Sequence, residues 1–322
     1  MNQIGMRMAL TCVFAVTGSF ACGGSSDDGD DGALGASGKG TSIGVGGTNS
    51  IPVTTGGANG GGGRGSGGSV YMLPDDFTPA DDGGWKLGER VPDDAQMGSG
   101  GSSSDGCGAE ILGVVRDFKR GDEDDGHPDF ETFTGDGEEG IVEEDLGADM
   151  KPVYVDREHE YTTTKSNFDE WYVNVDDVNE AYFISFYLEP ANNGVLTFHS
   201  SDFFPLDDAG FGNQDNDHNF HFTTEVHTTF RYNGGETFQF TGDDDLWVYI
   251  NKKLAIDLGG LHSQLTARIS LDDEADRLGI ETGGVYQLDL FHAERHTHES
   301  NFRIDTNLYF VDCGIIVPEP VR

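Results

Sequence analysis

Three consecutive carboxylates, Asp243, Asp244 and Asp245, stand directly before the apolar run Leu246-Trp247-Val248-Tyr249-Ile250. Adjacent like charges repel, so a folded chain keeps them together only with a counter-charge, backbone N–H donors or a bound cation. The run itself reads as a strand, with Trp247 and Tyr249 on one face and Leu246, Val248 and Ile250 on the other. The acids therefore lie in a loop that feeds a β-sheet, where oxygen ligands can converge on a hard cation such as Ca²⁺. The competing reading is a turn whose acids pair with Arg295 or accept backbone N–H bonds. Strict alternation puts Asp243 and Asp245 on one side and Asp244 on the other, unless the backbone turns there.

The same strand texture runs through the second two thirds of the chain. Short alternating runs between turn residues predict strands at Ile111–Phe118, Ala181–Leu188, Gly194–Phe198, Asn219–Tyr232, Thr237–Thr241, Leu246–Ile250, Leu254–Leu258, Arg268–Leu271, Gly284–His292 and Phe302–Phe310. Helical periodicity is scarce, and only Asn167–Trp171 and Glu274–Leu278 read as short helices. Many short strands at regular spacing predict an all-β sandwich or distorted barrel. Upstream, residues 23–106 are dominated by Gly, Ser, Asp and Thr and read as a disordered tether. Tyr71, Met72, Leu73, Phe77, Trp85 and Leu87 restore some apolarity at 70–91, predicting an arm that packs on the folded body.

Residues 1–22 have the three-part form of an export signal. Arg7 precedes an apolar run from Met8 to Val16, and small residues lead to Cys22. The segment is too short for a permanent membrane span. Cys22, followed by Gly and Ser, resembles the lipidated cysteine of bacterial lipoproteins; an ordinary cut after Ala21 is the alternative. Cys12 leaves with the signal. Cys107 and Cys313 remain, and in an exported chain they most simply form one disulfide around the folded region. These readings give a domain at 107–315 with a tail at 316–322, on an outer-membrane or cell-surface lipoprotein or a secreted protein.

Of 322 residues, 58 are Asp or Glu against 19 Lys or Arg, a formal net charge of −39. That charge excludes a nucleic-acid partner and docking to anionic lipid by charge, leaving membrane attachment to the lipid anchor alone. Most of these acids read as solvated surface, including those in the Asp124-Asp125, Glu138-Glu139 and Glu143-Glu144 loops. His221, Thr223, Glu225 and His227 share one strand face; that face is either a Zn²⁺ half-site or a polar sheet face. His292, Glu294, His296 and His298 alternate in the same way, and Glu294-Arg295 reads as a pair that locks a loop. The chain has no Gly-x-Ser-x-Gly elbow in its folded region and no His-Glu-x-x-His. With so many acids, no pair stands out for a glycosidase, so the chain reads as non-enzymatic.

The motifs Gly113-Val114-Val115-Arg116-Asp117-Phe118, His127-Pro128-Asp129-Phe130-Glu131, Phe203-Phe204-Pro205-Leu206-Asp207 and His218-Asn219-Phe220 occur in order. They continue with Gly242–Val248, Ile256-Asp257-Leu258-Gly259-Gly260-Leu261-His262, Ala293-Glu294-Arg295-His296 and Ser300-Asn301-Phe302. Together they resemble the fibro-slime domain of bacterial surface proteins and of the prespore-inducing factors of social amoebae. The second half is also similar to the broader PA14-like superfamily of β-sandwiches. In the flocculin-type lectins of that superfamily, paired Asp residues bind a Ca²⁺ that holds two sugar hydroxyls. The resemblance implies metal ligation by Asp243, Asp244 and Asn301, with Asp245, Glu294, Arg295, His296 and His262 at the ligand rim or locking its loops. No stretch here reproduces the lectin loop around the second ligand set. The expectation is Ca²⁺-dependent recognition of a glycan or an extracellular-matrix component, in adhesion or matrix assembly. A structural matrix protein without lectin activity and an accessory carbohydrate-binding module are the alternatives.

Overall fold

The protein is described by a computed structural model covering residues 84–92 and 109–311. Cys22, Cys107 and Cys313, with the lipid and disulfide expected of them, lie outside the described residues. The strands are β1 (Trp85–Arg90), β2 (Glu110–Phe118), β3 (Asn179–Tyr187), β4 (Glu189–Pro190), β5 (Leu196–Ser200), β6 (Phe222–Arg231) and β7 (Thr237–Gly242). They continue as β8 (Asp245–Ile250), β9 (Lys253–Leu258), β10 (Leu265–Ser270), β11 (Val285–Glu294), β12 (Phe302–Thr306) and β13 (Tyr309–Phe310). Two α-helices, α1 (Lys165–Phe168) and α2 (Leu271–Leu278), and a short 3-10 helix at Asn192–Gly194 complete the described elements.

The strands form two antiparallel sheets. The larger runs β1-β3-β2-β6-β11-β8-β9, with β13 joining β6 beyond the end of β2; the smaller runs β10-β7-β12-β5-β4. Between them lies the main core, rich in phenylalanine. Phe302 is central, with ring centroids 4.7 Å from Phe203 and 4.9 Å from Phe240, and stacked on Phe186 at 5.6 Å. Leu246, Val248 and Ile250 of β8 point into this core, while Trp247 and Tyr249 point to the opposite face, as the alternation requires.

That opposite face is also dry. Residues 119–178, almost without regular structure, fold over it and bury Trp171, Tyr172, Phe130 and Phe168 against Trp247, Tyr249 and Phe291. The large sheet is therefore covered on both sides, which is why every residue of β8 is buried. The fold is an all-β sandwich of two antiparallel sheets, with an irregular layer added to one of them.

The element boundaries differ from expectation where side chains compete with the backbone ladder. Asn219 to His221 precede β6 because Asn219 Nδ2 donates to Asp117 (2.8 Å) and His221 N–H donates back to Asn219 Oδ1 (3.0 Å). The expected single strand Phe302–Phe310 is broken at Asn307, whose Oδ1 accepts from Thr237 N–H at 2.7 Å. There the chain leaves the small sheet and enters the large one. Helix α1 starts earlier than Asn167 because the Thr164 hydroxyl caps it, accepting from Asn167 N–H. Helix α2 begins at Leu271, has Asp272, Asp273 and Glu274 in its first turn, and stops at Gly279 in the left-handed region.

Asp117 at the end of β2 is fully buried, and burial pushes its carboxyl up to about 7 despite bonds from Asn219 and Phe211. Between its ordinary value near 3.8 and about 7 the folded state holds a proton that the unfolded chain has released. Stability should therefore fall as pH rises through that window, by at most ~1.4 kcal/mol per pH unit. Urea unfolding across the window should show a shallower slope in Asp117→Asn than in wild type, whatever the variant's absolute stability. An unchanged slope would mean Asp117 is ionised in the fold.

Candidate functional site

The acid triplet sits where β7 passes into β8, and Asp244 has φ 50, so the backbone does turn there. All three carboxylates are consequently buried, on different partners. Asp245 accepts Gly260 N–H on Oδ1 (2.7 Å) and Arg295 Nε on Oδ2 (2.7 Å). Asp244 accepts His262 N–H on Oδ1 (3.3 Å) and Arg295 N–H on Oδ2 (2.9 Å). Asp243 Oδ2 accepts both the backbone N–H (2.6 Å) and the side-chain amide (2.9 Å) of Asn301. Its Oδ1 is buried without a hydrogen-bond partner.

Two glycines make this convergence feasible. A Cβ on Gly242 would lie 2.5 Å from the Asn301 carbonyl, so only glycine lets the Ser300-Asn301 loop approach Asp243. Gly260, with φ +80, turns its N–H onto Asp245; a Cβ there would lie 2.5 Å from Glu138 N. His262 is buried in the same loop and supplies backbone bonds to Asp244 on both sides; its ring bonds Ser263 O at 3.0 Å.

Arg295 is the hub. Its guanidinium is fully buried and lies 4.7 Å from the Trp171 ring. Beyond Asp245 it donates from Nη1 to the carbonyls of Asp129 (3.0 Å) and Tyr161 (2.8 Å) in the covering layer. The expected loop lock therefore exists, but Arg295 makes it with Asp245 rather than with Glu294. Glu294 is fully buried close to Ser300 and Asp244. Burial, then the neighbouring Asp244 charge, push its carboxyl well above the usual range. Burial likewise raises Asp243, and raises Asp244 to about 6 against the pull of Arg295. Four acids thus crowd one guanidinium, and the excess negative charge must be neutralised by protons or by a cation.

His296 stands at the rim, 3.8 Å from Glu131. Glu131 also binds His221 (2.9 Å) and both the backbone and hydroxyl of Thr297. Burial opposes its charge, but those bonds outweigh it and bring its carboxyl to about 2. His221 is therefore a buried partner of Glu131 that helps hold the loop after β11. His298 lies beside His296 with the rings tilted at 56°, and His292 lies between core phenylalanines, where burial lowers it to about 3. Among the described residues no three His, Cys, Asp or Glu side chains form a ready-made metal cage. A cation at Asp243 would therefore draw on Asn301 and on neutral oxygens as well as acids.

Sequence reasoning missed Asp129 and Tyr161, whose backbone carbonyls hold Arg295. Carbonyl placement leaves no mark on residue type. It also missed the depth to which Glu294 is buried, since alternation in a doubly covered sheet does not separate wet from dry.

Residues 204–321 match the PA14 domain family. The chain is 37% identical to protein psiQ of Dictyostelium discoideum over 196 residues, which is 55% of this chain and 20% of psiQ. It is 38% identical to protein psiD of the same organism over 207 residues, 58% of this chain and 40% of psiD. It thus spans less than half the length of either relative. Among solved structures, the PA14 domain of the MpAFP antifreeze protein is 12% identical over 71% of this chain and all of that one. Its TM-score is 0.27, too loose a likeness to bear on the site.

Replacing Arg295 with Met should leave Asp245 buried and unpaired, costing about 3–5 kcal/mol in urea unfolding. Adding Asp245→Leu should recover part of that loss, giving a strongly non-additive double-mutant cycle. Additive effects would show that the two side chains are not coupled.

Proposed function

With a PA14-like domain of the fibro-slime type as its folded body, this chain is, we propose, a non-enzymatic surface protein. It recognises a glycan or an extracellular-matrix component at a Ca²⁺ held by Asp243, Asp244 and Asn301. The observation that carries this reading is the unpartnered Oδ1 of Asp243, set beside Asp244 and Glu294 where acid exceeds base. A hard divalent cation supplies the missing charge and prefers carboxylate and amide oxygens. When bound, it offers open positions to the vicinal hydroxyls of a sugar. The residues around it do the rest: Arg295 and Asp245 fix the loop, Gly242 admits Asn301, and His262 and His296 flank the rim. The domain reaches the surface through a lipidated Cys22 and the Gly-rich tether, closed by a Cys107–Cys313 disulfide.

A second reading has its own support. Asp244 and Asp245 are fully bonded to backbone and to Arg295, so the loops are locked without a metal. On that reading the domain is a structural matrix element with no lectin activity.

Thermal unfolding separates the two. A cation that binds only the folded state adds about 2.7 kcal/mol at a hundredfold excess over Kd. Melting temperature should rise with Ca²⁺ and fall with a chelator, beyond the effect of Na⁺ at matched ionic strength. Asp243→Asn combined with Asp244→Asn should abolish the difference. A glycan array should then light up only with Ca²⁺. A Ca²⁺-specific shift with a blank array favours the structural reading; no specific shift removes the metal altogether.

A further inference from the structure

A second buried cluster, on the outer face of the large sheet, takes no part in the site above. Sheet register assembles it. His227 of β6 lies directly opposite Asp289 of β11, and Arg116 of β2 is two positions along from Val114, the partner of Glu225. All four side chains therefore project to the same side. The turn at Gly147–Lys151, with Met150 at positive φ, brings Lys151 down onto them. Lys151 donates to Oε1 of Glu225. Arg116 Nη1 donates to Oε2 at 2.7 Å. His227 Nε2 is 2.5 Å from Oε1, and its Nδ1 is 2.6 Å from Asp289 Oδ1, so both ring nitrogens face carboxylates, which against the cost of burial favour the doubly protonated ring. Every member is buried, and Tyr172 and Phe291 wall the cluster off.

We propose that Lys151 and Glu225 are joined by an isopeptide bond, formed within the folded domain with loss of one water. An amine and a carboxyl are held together in a dry site with an electrophilic clamp on one oxygen and a proton donor on the other. Those are the groups a condensation needs. Well-oriented intramolecular partners reach effective concentrations of about 10⁵–10⁸ M, which offsets the poor reactivity of the pair in water.

The step balances without any co-reactant. Lys151 first passes a proton to Oε1, leaving a free amine. Its lone pair attacks Cδ of Glu225, the C–N bond forms, and the carbonyl electron pair moves to Oε2, where Arg116 holds the negative charge. His227 gives its Nε2 proton to the Oε1 hydroxyl; the electron pair on Oε2 returns to re-form the carbonyl, the Cδ–Oε1 bond breaks and Oε1 leaves as water. His227 then takes the second proton from Nζ and is restored. Nothing is oxidised or reduced. The water has an exit: Lys151 also lines a cavity of about 290 Å³ bordered by Pro152, Phe168 and Tyr172. Burial lowers Lys151 towards the neutral amine. Burial opposes charge on Glu225 too, but Lys151, Arg116 and His227 outweigh it, so the ion pair is the resting state from which the reaction starts.

The test is the intact mass of the full chain, denatured and reduced, with its N-terminus defined by sequencing. The wild type should weigh one water less than its residues sum to. A proteolytic digest read by tandem mass spectrometry should contain a branched peptide linking Lys151 to Glu225. Lys151→Arg, which keeps the charge, should show the full mass. His227→Gln should give a mixture of both masses; complete cross-linking in that variant would overturn the role given to His227. Should Lys151→Arg fail to fold, the branched wild-type peptide still decides. A full-mass wild type with Lys151 in a linear peptide overturns the proposal, and so does a Lys151→Arg protein that is still one water light.

Discussion

One guanidinium ties two neighbouring strands of the large sheet to the irregular layer that covers them. Arg295 leaves the end of β11, meets Asp245 at the start of β8, and reaches the carbonyls of Asp129 and Tyr161 in the covering layer. Burying such a pair costs several kcal/mol of lost hydration per ion, recovered only when every proton and lone pair finds a partner. Here Nη1 finds two backbone carbonyls of the covering layer, so the ion pair fixes that layer in place rather than simply adding stability. Trp171 under the guanidinium extends that hold into the aromatic cluster.

The same covering layer decides the character of the large sheet. A sheet with one wet face carries polar residues on alternate positions, and β6 does, with Thr223, Glu225 and His227 continuing the side that His221 begins just before it. Yet those residues are buried. The layer converts a polar face into an interior one, so its charges must pair with one another. The Glu225 cluster and the Glu131–His221 contact are two outcomes of that single constraint.

Much of this was legible in the sequence. The strand at Leu246–Ile250 and the two faces it presents follow from alternation alone, and the motif order pointed to a PA14-like sandwich. The clustering of Asp243 with Asn301 came from resemblance, and in the fold the two side chains do bond. The rest was hidden for physical reasons. A segment such as 119–178 has no periodicity, so nothing in it announces that it will cover a sheet. Glu294 and Arg295 are neighbours in sequence, but consecutive residues leaving a strand point to opposite sides. Their apparent pairing therefore gave way to Arg295 with Asp245. The break at Asn307 depends on a side chain meeting a strand 70 residues away, a contact no local pattern encodes.

Strand β1 carries a mechanical consequence. It is the outermost strand of the large sheet, held to β3 by antiparallel pairing from Trp85 to Arg90, and the rest of the domain follows it in the chain. Among the described residues, tension arriving from the upstream chain meets these first. A pull along the strand loads all of its inter-strand bonds together, whereas a pull across it opens them one after another from Trp85. Direction of force, rather than its size alone, then sets the load at which the domain begins to yield, and β1 is the first of the described elements to feel it.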